Sequence, residues 1–101
     1  MKLSERAGQY SGSVKVLFVD VNINLEICTN GVVNASLKST VKNESKSLTL
    51  DPNYDKDEMD IDLSGVNVHI VFNGNQSINV TLPSNIMGIN ISNRNILLKR
   101  L

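Results

Sequence analysis

From Val19 to Ile27 the chain alternates without a fault. Val19, Val21, Ile23, Leu25 and Ile27 are separated by Asp20, Asn22, Asn24 and Glu26. A helix repeats its faces about every 3.6 residues, so such a series would wrap around it and bury nothing. In an extended chain the same series puts every branched aliphatic on one side and every polar group on the other, which is a half-buried strand. The same period recurs at Val33, Ala35 and Leu37, at Met59, Ile61 and Leu63, at Val66, Val68, Ile70 and Phe72, and at Ile78, Val80 and Leu82.

The turns between these series are fixed by parity. Between Ile27 and Val33 stands Thr29-Asn30-Gly31. A two-residue Asn-Gly loop would scatter the apolar residues over both faces. A three-residue loop sets Ile27 opposite Val33, Leu25 opposite Ala35 and Ile23 opposite Leu37, with Gly31 in the left-handed position that a G1 bulge requires. After Ser64-Gly65 the apolar phase changes from odd to even, so an even-length turn should set Ile61 opposite Val68. Asn73-Gly74-Asn75 keeps the phase and calls for an odd-length loop into Ile78. Pro83 should end the strand it follows, because it has no N–H to donate.

Other stretches are less regular. Val14, Val16 and Phe18 are apolar on even positions, which suggests a bulge or a bend near Leu17. Val41 continues the odd series, and Asn43 to Lys46 reads as a polar turn before a short strand through Leu48 and Leu50. Ile89 and Ile91 read as one short strand, and Ile96–Leu101 as another or as a helical turn. The expected organisation is a flexible N-terminal arm over residues 1–12 and a single all-β domain over 13–101. About eight short strands at a spacing of roughly ten residues predict an antiparallel β-sandwich or a partly open barrel. A recurrent apolar-Asn-apolar triplet, as in Val66-Asn67-Val68 and Ile78-Asn79-Val80, raises a short β-solenoid as the alternative.

Composition narrows the function classes. Ten acidic and ten basic residues cancel, which removes the strongly basic footprint of a nucleic-acid binder. The aromatic residues are few: Tyr10, Phe18, Tyr54 and Phe72. With Phe18 and Phe72 assigned to apolar strand faces, little remains to stack bases, and no nucleic-acid partner is expected. Lys38, Lys42 and Lys46, or Arg94, Lys99 and Arg100, form at most small basic edges. Cys28 is the single cysteine and rules out an intramolecular disulfide or a cysteine-based zinc site. No apolar run spans a bilayer, no membrane partner is expected, and a cytoplasmic location is the expectation. An exported or surface location is the alternative if a leader has been removed, and only then would the sequons at Asn34, Asn43, Asn75, Asn79 and Asn90 matter.

The sharpest local feature is acidic. Asp51, Asn53, Asp55 and Asp57 place hard oxygens at alternate positions, as in the first half of a calcium loop, but Lys56 stands where the loop's glycine belongs. Asp57, Glu58, Asp60 and Asp62 form an acidic strand face suited to a basic partner. His69, the lone histidine, falls opposite the apolar side of its strand and has no sequence partner for a triad or a metal site. The expected function is therefore a non-enzymatic protein–protein interaction or structural assembly module with no cofactor, partnered by another protein or by itself. A calcium-dependent or adhesin-like surface module using residues 51–62 is the alternative.

Overall fold

The structure is a computed structural model, which describes residues 1–101 apart from 17, 41–42, 64, 84, 87–88 and 91–94, and of 16, 63, 85, 86, 89 and 90 the backbone alone. The expectations placed on Leu17, Val41, Lys42, Ser64, Ile91 and Arg94 lie outside the described residues. A short 3-10 turn at Leu3–Arg6 precedes ten strands. They are β1 (Gly8–Val16), β2 (Val19–Ile27), β3 (Val32–Lys38), β4 (Asn43–Thr49), β5 (Glu58–Leu63), β6 (Val66–Asn73), β7 (Ser77–Thr81), β8 (Asn85–Ile86), β9 (Ile89–Asn90) and β10 (Asn95–Arg100).

Eight of them form one sheet in the order β4-β3-β2-β1-β10-β7-β6-β5, and β8 pairs with β9 as a small separate hairpin. The large sheet is strongly curled, a half-barrel rather than two demonstrated facing layers. Every pairing between described strands is antiparallel. The stacked coils of a β-solenoid are therefore not what the ladder displays.

The core lies inside the curl. Val21, Ile23, Leu25 and Ile27 of β2 meet Val33, Ala35 and Leu37 of β3, and from the other half come Ile61, Val66, Val68, Ile70, Phe72, Ile78, Val80, Ile96 and Leu98, all in one cluster. Burial of this apolar surface is the main stabilising term, at about 25 cal/mol for each Å² removed from water. Registers follow the parity argument. Ile27↔Val33, Leu25↔Ala35 and Ile23↔Leu37 are cross-strand partners, and Ile61 faces Val68. Gly31 has φ +91°, and Cys28 N donates to Val32 O at 2.9 Å across the turn.

Three expectations are corrected. Residues 1–12 are not a flexible arm: Leu3 and Arg6 are buried, and β1 lies mid-sheet, paired with β2 from Gly8↔Ile27 to Val16↔Val19. The irregularity read as a bulge or a bend is a full chain reversal, with Val16 paired to Val19, and Phe18, assigned to an apolar face, is 99% exposed there. Asn43 to Lys46 is not a turn but the first half of β4, whose exposed edge position leaves no apolar pattern to read. Of the two readings of the C-terminal segment the strand holds: it is β10, with Ile96 and Leu98 inside.

Among the described residues the register partners of β1 and β10 are Tyr10↔Arg100 and Ser11↔Lys99, whereas β1 and β2 pair along their whole length. This short joint links two four-stranded halves.

Candidate functional site

The acidic segment runs along the end of the half-barrel and into its β5 edge, and its oxygens point to separate partners. Asp51 Oδ1 accepts from Asn53 N at 2.9 Å, a local turn bond. Asp55 Oδ1 receives the N-terminal ammonium at 2.9 Å. That hydrogen bond first, then the ammonium charge, with smaller help from Arg6 and Lys2, holds the Asp55 carboxyl below its ordinary value. Asp57 Oδ1 accepts from Arg6 at 2.8 Å, and Asp62 Oδ1 accepts from Gly65 N at 2.8 Å in the turn between β5 and β6. Asp51, Asn53, Asp55 and Asp57, the calcium candidates, thus do not converge. Among the described residues no cluster of carboxylate, imidazole and thiol groups has the arrangement of a metal site.

Glu58 and Asp60 frame His69 from the neighbouring strand. Asp60 is the cross-strand partner of His69, with Asp60 Oδ1 2.9 Å from Nδ1 and Glu58 Oε2 3.6 Å from Nε2. The two carboxylates address opposite ring nitrogens, so the ring stands between them and separates them. Leu50, Tyr54, Lys56 and Met59 complete a shallow recess of about 390 Å³ around this group.

Sequence reasoning missed Arg6. Its side chain is buried, while its ion-pair partner Asp57 is 77% exposed. Arg6 also donates to the Gly74 carbonyl and lies with its guanidinium carbon 4.6 Å from the Phe72 ring centroid. Its Nε is buried without a partner. Arg100 donates to the carbonyls of Ala7 at 2.7 Å and Asn75 at 3.0 Å, and Tyr10 Oη donates to the Arg6 carbonyl at 2.6 Å. This group fastens the N-terminal turn, the β6–β7 loop and the end of β10 together. It is structural cement, because most of its donors are spent on backbone carbonyls of the same chain and others on Asp57 and Tyr10. The only sequence signal for it was Tyr10 in phase with Val14, diluted by Gly8 and Gly12.

The two sheet edges differ in chemistry, and hydrogen-bond parity shows how. Phe72 N donates to Asp57 O at 2.7 Å, which sets the odd-numbered residues of β5 toward β6. The backbone groups of Glu58, Asp60 and Asp62 therefore face away from the sheet. Tyr54 Oη caps the first of them, donating to Glu58 O at 2.6 Å. At the opposite edge Leu50 N donates to Gly31 O at 2.8 Å. By the same parity the even-numbered residues of β4 are turned toward β3, and Asn43, Ser45, Ser47 and Thr49 carry the outward-facing N–H and C=O groups. Their side chains are exposed and uncharged.

The outer surface of β1–β4 carries a polar groove of about 390 Å³, floored by Gln9, Asn24, Glu26, Asn34 and Ser36. Glu26 is the acidic side chain among its lining residues, accepting from Asn34 Nδ2 at 2.9 Å and Gln9 Nε2 at 3.3 Å. Cys28 borders Glu26, its Sγ 3.9 Å from Oε1.

Compared with models of known protein families, with curated proteins and with solved structures, the chain matches none of them. Among the described residues no helix is long and apolar enough to cross a membrane.

Proposed function

We propose that this domain is a non-enzymatic interaction module that engages another protein, or assembles structurally, through its sheet edges. The observation that carries the reading is the open end of the ladder at β4, where Asn43, Ser45, Ser47 and Thr49 turn their backbone donors and acceptors away from β3. Unpaired edge groups are a template for an incoming extended segment, whose main chain supplies affinity while side chains supply choice. The β5 edge offers the same groups at Asp60 and Asp62 with an acidic character that suits a basic segment.

The surroundings of His69 support a non-catalytic role. A general base needs one ring nitrogen directed at the proton it removes, whereas both nitrogens of His69 face carboxylates.

Proline at an outward-facing edge position tests the reading without breaking the internal ladder. Wild-type protein, Ser45→Pro and Asp60→Pro are used as baits in extracts of the native cell, with circular dichroism to confirm that each is folded. The expected result is a partner held by the wild type and released by one proline variant. Identical sets of bound proteins in all three would overturn edge recognition.

A further inference from the structure

We propose that β4 pairs antiparallel with β4 of a second copy, about a two-fold axis through Ser45, an assignment that rests on the edge-recognition reading above. The strand has the exposure such pairing needs: Asn43, Ser45, Lys46, Ser47 and Thr49 are all exposed. Its outward backbone groups belong to odd-numbered residues, so the pairs Asn43 with Ser47, Ser45 with Ser45 and Ser47 with Asn43 of the second copy are the hydrogen-bonded ones.

The register is selected by charge. Glu44 lies opposite Leu37 and Lys46 opposite Ala35, so both charged residues occupy the core-facing side of the strand. Charges turned inward on an edge are a device against indiscriminate strand addition. A neutral strand laid there would bring no complementary charge to either. A two-fold axis at Ser45 instead sets Glu44 opposite Lys46 of the second copy, and Lys46 opposite Glu44, in non-hydrogen-bonded positions where side chains approach most closely. Moving the axis to Lys46 or to Glu44 sets like charges face to face. The sequence Glu44-Ser45-Lys46 is self-complementary about its middle residue.

The other edge is closed to the same arrangement. Two β5 strands related by a two-fold axis would bring the carboxylates of Glu58, Asp60 and Asp62 against one another, and cross-strand like charges are destabilising. Pairing is therefore isologous at β4 and stops at the dimer, since an interface of one patch with itself closes on two subunits.

Sedimentation equilibrium of the full chain over a wide concentration range tests the assignment. The expected result is a concentration-dependent dimer that Ser45→Pro abolishes with the fold intact. Glu44→Lys and Lys46→Glu should each weaken dimerisation about tenfold, as expected when attractive cross-strand pairs become repulsive. Mixing the two variants should restore association, because an all-basic strand then faces an all-acidic one. A chain that remains monomeric throughout, or a dimer indifferent to these changes, overturns the dimer. If such a monomer still loses a captured partner on Ser45→Pro or Asp60→Pro, edge recognition stands without self-pairing. If it captures nothing through either edge, both fail.

Discussion

Gly12 on β1 lies directly under the backbone carbonyl of Leu97 on β10. A Cβ built at Gly12 would run into that oxygen and would stand 2.9 Å from Leu98 Cδ2. This approach occurs beside the short joint between the two halves of the sheet, so the missing side chain is what lets β1 and β10 close at that point. Gly12→Ala should cost about 1–3 kcal/mol by overpacking, measured by urea denaturation.

The turn glycines should separate by surroundings rather than by conformation alone. Gly31 and Gly74 both have positive φ, but a Cβ at Gly31 would collide with the Leu50 carbonyl while one at Gly74 meets nothing within 4 Å. Gly74→Ala should therefore cost about 1–2 kcal/mol, the strain of a left-handed residue. Gly31→Ala should cost about 3 kcal/mol or more, because the clash adds to the strain. Equal losses in chemical denaturation would count against the close approach of Leu50.

Arg6 and Asp57 should respond unequally to removal. Asp57 is solvated, so Asp57→Asn should cost about 1 kcal/mol or less. Arg6→Ala loses the packing on Phe72 and leaves a hole beneath the N-terminal turn, at a cost of about 2–4 kcal/mol. Arg6→Met should recover part of that loss, because it refills the volume and removes the unpartnered Nε. Thermal melts of the three variants give the ordering.

Phe18 and Phe72 form a contrast of the same residue type. Phe72→Ala should cost about 3–5 kcal/mol, whereas Phe18→Ser, at a fully solvated reversal, should stay within about 0.5 kcal/mol of wild type. A large loss at Phe18 would show that the ring has a seat in solution.

The contact between the N-terminal ammonium and Asp55 gives a pH dependence of known sign. A carboxyl whose folded pKa lies below its unfolded value stabilises the fold at pH above the unfolded value, near about 4, and that contribution fades as pH falls through the folded pKa. A carbon-detected NMR titration should show Asp55 protonating below the ordinary aspartate range. Acetylating the N-terminus should return it toward that range.

How far the chain could be read in advance depended on which physical signal governed each part. The register of β2 on β3 was legible because the aliphatics of both strands share one face, and one loop length alone kept them together. The same rule applied to the reversal between Val16 and Val19: the apolar phase changes there as it does between Leu63 and Val66. It was passed over because no Gly or Asn marks the spot. Of β4 only the end around Leu48 was legible, for the opposite reason: an edge strand with solvent around it imposes no burial pattern on Asn43 to Lys46. The contacts of Arg6 with Asp57, Phe72 and Gly74 span more than fifty positions, and no local pattern encodes them. The acidic segment was visible as a run, but its division among separate partners depends on where β6 and the N-terminus come to lie.

The place of β10 has a consequence for how the protein is made. β10 follows the other seven strands of the sheet in chain order yet fills the gap between β1 and β7, so the two halves of the sheet can join only after translation has delivered Asn95–Arg100. Until then β1 and β7 are both bare, and the nascent chain carries two extra sticky borders. Closure of the sheet therefore waits for Asn95–Arg100, and a ribosome that stalls before Asn95 leaves behind two unjoined halves prone to clumping.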